Sequence, residues 1–154
     1  MTHSPKPKVA LGADHAGYAA KEQVKKLLEG MGYPVDDLGP FNADSVDYPD
    51  YARAVAERVA GGQARFGVLV CGTGMGMDMA ANKVPGIRAA TAHNLFTARL
   101  AREHNDANVL AIGARVVSNH EALAIVREFL ATEFAGGRHQ RRVDKINELD
   151  RQRV

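Results

Sequence analysis

Five short apolar runs, each followed by a stretch whose apolar residues recur at helical spacing, leave this chain few folds to choose from. The first, Val9-Ala-Leu11, ends at Gly12-Ala-Asp-His-Ala-Gly17, and Val24, Leu27, Leu28 and Met31 then fall at i, i+3, i+4 and i+7. Gly32 closes that helix and Pro34 cannot continue it. Tyr33 to Leu38 reads as a second, weaker strand. Asp47 precedes a helix with Pro49 in its first turn, a buried stripe of Ala52, Val55, Ala56 and Val59, and an end at Gly61-Gly62.

The third strand, Phe66 to Val70, leads through a glycine-rich turn into a short helix over Met77 to Lys83. Ile87 to Ala92 is the fourth, after which Asn94 caps a helix with Leu95, Ala98 and Leu100 inward. Val109 to Ile112 is the fifth. Ser118 and Glu121 then form a capping box that opens a helix through about Phe134, and a last helix covers residues 139–152. Parallel strands need such crossovers, and covering both sheet faces explains runs that are apolar throughout. The expected fold is a three-layer α/β/α, Rossmann-like sandwich around a five-stranded parallel sheet.

A chain of 154 residues fits one domain, taken here as residues 9–154 with a basic C-terminal helix, after a disordered lead over residues 1–8. One cysteine cannot form an internal disulfide, which points to a reducing, cytoplasmic setting. No apolar run has the length of a membrane span, and the N-terminus lacks the apolar stretch of a signal peptide. The net charge of +2 carries no nucleic-acid signature. From Gly136 onward six basic residues face three acidic ones with no aromatic among them, the pattern of a solvated helix carrying a few functional arginines.

The single cysteine opens the run Cys71-Gly-Thr-Gly-Met-Gly76. A thiol at a strand tip, beside exposed backbone N–H groups that lead into a helix, meets a positive field that favours anions and thiolate. The glycines at 72, 74 and 76 do not match a dinucleotide fingerprint, and no Gly-Lys-Ser/Thr ends the run as a P-loop requires. A cysteine-phosphatase loop would need arginine where Met77 stands. The bland reading is a tight turn with a buried small thiol, in which Thr73 satisfies its own backbone.

Ligands of open parallel sheets bind at the carboxyl ends of the strands. That rule groups Asp14 and His15 after the first strand, Cys71 to Gly76 after the third, His93 after the fourth and Arg115 after the fifth. Asp14 also suits an ordinary helix cap, whereas His15 before Gly17 suits a phosphate. His104, in the turn His104-Asn105-Asp106, is an acid–base candidate. Arg138 and Arg142 share a helix face beside Gly136-Gly137 and His139, either as solvent decoration or as a forked clamp for phosphate. Scattered histidines and one cysteine give no zinc spacing.

Taken together these motifs resemble the ribose-5-phosphate isomerase B family, which includes galactose-6-phosphate and allose-6-phosphate isomerases. The matching runs are Gly12–Gly17, Asp47-Tyr-Pro49, Cys71–Gly76, Ala80-Ala-Asn-Lys83, Gly86-Ile-Arg88, His104–Leu110, Gly113-Ala-Arg115 and Gly136–Val143. The resemblance implies Cys71 as the base that moves a proton between C2 and C1, with Thr73 and the amides of Gly72, Gly74, Met75 and Gly76 on the sugar oxygens. It implies His104 as the group that opens the sugar ring, and Asp14, Tyr48 and Asn105 as sugar-binding residues. His15, Arg115, Arg138 and Arg142 match substrate positions, the arginines chiefly for phosphate. Some relatives use a carboxylate further along the loop, where this chain has Met77; Asp78 beside it is a spare carboxylate expected to face away. The resemblance further implies a homodimer, or a dimer of dimers, with sites shared between subunits, and neither metal nor organic cofactor. A six-carbon phosphosugar isomerase, a thioester-forming cysteine hydrolase and a non-catalytic phosphosugar sensor are the alternatives.

Overall fold

The computed structural model describes residues 5–152, so residues 1–4 of the expected lead, and Arg153 and Val154 at the end of the expected domain, lie outside the described residues. From residue 5 the chain runs without regular structure into the first strand, and the Lys8 carbonyl accepts the Arg65 N–H at 2.9 Å. The strands are β1 (Val9–Ala13), β2 (Val35–Asp37), β3 (Phe66–Cys71), β4 (Ala89–Thr91) and β5 (Val109–Gly113). They form one parallel sheet in the order β2-β1-β3-β5-β4. The helices are α1 (Tyr18–Gly30), α2 (Tyr48–Ala60), α3 (Met75–Ala81), α4 (Leu95–Glu103), α5 (Asn119–Ala131) and α6 (Arg138–Arg151).

Alternate residues of each central strand feed two cores, as the two-residue period of a strand requires. Val9, Leu11, Ala13, Phe66, Val68, Val70, Leu110 and Ile112 pack against apolar residues of α1, α4 and α5. Ala10, Leu69, Cys71, Val109 and Ala111 pack on the opposite face against α2 and α3. The predicted stripe of α2 is buried in full, and Val24 and Leu28 of α1 reach the first core with Leu27 partly buried.

Three expectations need correction. Leu95 is 48% exposed, because it opens the first turn of α4 and that helix turns Ala98 and Ala101 to the core instead. The helix expected through about Phe134 ends at Ala131: Thr132 is extended, and its hydroxyl donates to the Glu128 carbonyl at 2.7 Å. The fourth strand is only Ala89–Thr91, since the Arg88 N–H donates to the Asn108 side chain at 2.8 Å before pairing begins. Both predicted caps form: Asn94 accepts the Thr97 N–H, and Ser118 and Glu121 close a reciprocal box.

Two polar devices finish the layers. At the sheet edge the Asn82 side chain pairs with Ala89 as a strand residue would, accepting its N–H at 2.8 Å and donating to its carbonyl at 3.0 Å. On α1, Lys21 is fully buried; its ammonium bonds both Asp37 oxygens and Glu22 at 2.9 Å and lies 5.5 Å from the ring centres of Tyr18 and Phe41. Burial pushes the Asp37 carboxyl up, but hydrogen bonds from Lys21, the Gly39 N–H and Lys25 outweigh it and hold the group below its ordinary value. The Gly39 carbonyl in turn accepts the Ala13 N–H at 3.0 Å, so this pair anchors the loop that leaves β2 beside the end of β1.

Lys21→Met should therefore cost on the order of 3 kcal/mol in urea unfolding, because it takes the buried ammonium from a barely exposed carboxylate and leaves it only the Gly39 N–H and the part-exposed Lys25. Replacing both partners, Lys21→Met with Asp37→Leu, should recover most of the loss. A carboxyl lowered in the folded state stabilises fully above its unfolded pKa, and that contribution is lost as pH falls through the folded value. The acid limb of wild-type stability, starting below about pH 4, should accordingly flatten in Asp37→Asn.

Candidate active site

The carboxyl edge of the sheet gathers side chains from four loops. After β1, Asp14 is buried and its Oδ1 accepts the Gly17 N–H at 2.9 Å, while the Asp14 N–H donates to the Val70 carbonyl at 3.1 Å. One carboxylate oxygen thus closes the turn ahead of α1, whose N-cap is Gly17, so Asp14 is not itself the helix cap that its residue type allowed. His15 is exposed, and its Nδ1 accepts the Val46 N–H at 3.2 Å, which ties it to the segment preceding Tyr48. Tyr48, at the start of α2, lays its ring directly over Gly76, where a side chain would collide with it.

Cys71 ends β3 and is 5% exposed. Its Sγ accepts the Gly74 N–H at 3.1 Å, and the Thr73 hydroxyl accepts the Met75 N–H at 3.2 Å. Gly74 stands at φ +83°, in the left-handed region that favours glycine, and this bends the loop back over the thiol. Gly113 of β5 lets the Thr73 peptide settle on the strand: a Cβ there would lie 2.7 Å from the Thr73 carbonyl. Arg115 follows β5 with its own N–H on the Gly72 carbonyl at 3.0 Å and its guanidinium alongside Gly72. Asp78 does face away, accepting from Asn82 at 2.7 Å and from the Thr91 hydroxyl at 2.8 Å.

A second group forms elsewhere. His104 caps the C-terminus of α4, and its ring stacks on His139 of α6 with centroids 4.1 Å apart. These two, with Asn105, Arg138 and Arg142, line a cleft of about 390 Å³. The His139 imidazole is held below its ordinary pKa, first by lost hydration and then by the charges of His104, Arg138 and Arg142. A site that disfavours another cation favours an anion. Arg88 joins the two walls, donating to the Asn105 and Asp106 carbonyls at 3.2 and 2.8 Å and to the Asn147 side chain of α6 at 2.8 Å.

The two groups do not meet within one chain. The His104 turn lies at the amino edge of the sheet, where Asp106 reaches Arg65, the residue before β3, at 4.0 Å. Cys71 lies at the other end of β3, about 16 Å away at the rise of a strand. Helices in such a fold run back against the strands, so a residue at a helix end belongs to the amino edge; that signal was available for His104. The stacking of His139 on His104 and the bridging role of Arg88 had no sequence signal, because they join residues far apart in the chain. Among the described residues no group of three or more His, Cys, Asp or Glu side chains could hold a metal ion.

The sequence pattern of the Ribose/Galactose Isomerase family matches residues 9–146. The chain is 44% identical over 146 residues to ribose-5-phosphate isomerase B of Escherichia coli (strain K12), covering 95% of this chain and 98% of that protein. Its fold matches the Clostridium thermocellum ribose-5-phosphate isomerase B with a TM-score of 0.93 at 50% identity, over 94% of this chain and 98% of that one. It also matches the Mycoplasma genitalium enzyme solved with bound ribulose-5-phosphate, with a TM-score of 0.92 at 42% identity over 95% of this chain and 97% of that one.

Gly74→Ala should unseat the loop. The new Cβ would meet Thr91 Cγ2 at 3.0 Å and the Ile112 backbone at 3.2 Å in a conformation that costs an alanine about 1–2 kcal/mol. Thermal unfolding should show the loss of stability, and alkylation of Cys71 should show the altered thiol environment.

Proposed function

We propose, because this chain belongs to the ribose/galactose isomerase family, that it interconverts D-ribose 5-phosphate and D-ribulose 5-phosphate. The observation that carries the reading is a buried thiol, under a loop of backbone amides, on a chain that also builds a cationic cleft beside a half-buried histidine. Opening the furanose moves a proton from the anomeric hydroxyl to the ring oxygen, the task given to His104 with Asn105 beside it. The Cys71 thiolate then takes the proton on C2, and the electron pair moves onto the carbonyl oxygen to leave an enediolate. Thr73 and the amides of Gly72, Met75 and Gly76 carry that developing charge, while the Gly74 N–H stays on the Cys71 sulfur. A proton passes from the C2 oxygen to the C1 oxygen, the thiol returns its proton to C1, and the ketose results with no atom gained or lost. Asp14 and Tyr48 hold sugar hydroxyls, and His15, Arg115, Arg138 and Arg142 hold the phosphate.

The working unit in this reading is a homodimer. Two copies about a two-fold axis bring the thiol edge of one to the histidine cleft of the other and form two identical sites. Apolar side chains beside both groups support this: Met75 and Met79 on α3 are 56% and 66% exposed, and Leu149 on α6 is 59% exposed. A cytoplasmic setting accords with the single cysteine, and no helix among the described residues is long and apolar enough to cross a membrane.

Cys71→Ala should abolish isomerisation while a phosphosugar acid still binds, as read by proton exchange at C2 and by calorimetry. Near-normal turnover would overturn the assignment of the base. His104→Ala should lose most activity on the cyclic sugar. Mixing the two inactive variants under exchange should restore up to about a quarter of wild-type activity, since each mixed dimer regains one intact site. No restoration, with exchange demonstrated, would sink the shared site.

A further inference from the structure

His93 follows β4 at the carboxyl edge, and the mechanism above gives it no task. Its Nε2 lies 3.2 Å from the Thr73 carbonyl. A carbonyl only accepts, so the ring nitrogen there must carry the proton. The same peptide unit continues into the Gly74 N–H, which donates to Cys71 Sγ at 3.1 Å. Carbonyl and N–H of a trans peptide point in opposite directions. Holding the carbonyl outward on His93 therefore aims the N–H inward at the sulfur.

This peptide needs such a hold. It adjoins Gly74 at φ +83°, and a glycine passes between positive and negative φ without the cost other residues meet. If the peptide turned over, the thiol would lose its donor and face a carbonyl oxygen, which destabilises a thiolate. His93 is itself held from behind: its backbone N–H donates to the Thr97 hydroxyl at 3.3 Å, inside the Asn94 cap of α4. Two hydrogen bonds in line through one amide also polarise each other.

We infer that His93 is a positioning residue for the reaction, holding the Thr73–Gly74 peptide so that its N–H supports the Cys71 thiolate. The inference rests on the isomerase reading only for the kinetic arm of its test. Because Cys71 is the sole cysteine, an alkylating agent reports on it alone. His93→Leu and His93→Ala remove the donor, whereas His93→Gln retains an N–H donor. Iodoacetamide alkylation at neutral pH, kcat and KM would be measured for all three and for the wild type. Both donor-free variants should lose on the order of two- to tenfold in alkylation rate and kcat together, the scale of one net hydrogen bond, with KM little changed. His93→Gln should recover most of both. Wild-type alkylation rates in His93→Leu and His93→Ala, or no recovery in His93→Gln, would overturn the inference. A wild type that does not isomerise ribose 5-phosphate, yet shows the alkylation pattern, would instead overturn the isomerase reading and leave the role of His93 standing.

Discussion

The pairing of β1 with β3, from Val9 opposite Phe66 to Ala13 opposite Val70, is the constraint on which the rest of this molecule depends. The chain leaves these neighbouring strands in opposite directions across the sheet, toward β2 from one and toward β4 from the other. A crevice opens where the connections part, and side chains at the two strand ends share it. Asp14 and Cys71 are the residues that register delivers. The thiol also belongs to the core against α2 and α3, so its place is set by packing before any chemistry is asked of it.

Around that fixed point the polar contacts act in series. Lys21 and Asp37 anchor the segment after β2, Val46 binds His15, and Tyr48 covers Gly76. On the opposite side β5 and the segment after β4 support the Cys71 loop through Gly113, Arg115 and His93. Each neighbour of the thiol is thus held by an element that the sheet itself orders. Such preorganisation lets backbone amides stabilise charge without reorganising during reaction.

Much of this could be read from residue order. The strand runs, the caps at Asn94 and Ser118, and the clustering of Asp14, His15, Cys71, His93 and Arg115 at one edge all follow from local periodicity and from one topological rule. What escaped depends on rotation about a helix axis or on distant partners. Leu95 shows the first: spacing predicts a stripe without saying which first-turn residue begins it. Lys21 shows the second, since a lysine in an α1 sequence rich in charge gives no sign that Asp37 will bury it. The placement of His104 was legible in principle, because strand and helix ends alternate between edges.

The pairing of Asn82 with Ala89 also bears on how copies of this chain can join. β4 is a bordering strand, and the open hydrogen-bonding groups of such a strand invite another chain to extend the sheet. Here a side-chain amide already occupies the outward N–H and carbonyl of Ala89. Strand addition along that border would first have to displace it, and the three-residue strand offers little in return. At this border self-recognition is thereby directed to helix faces and loops, and this side of the sheet is guarded against the open-ended stacking by which bare sheet borders turn into fibres.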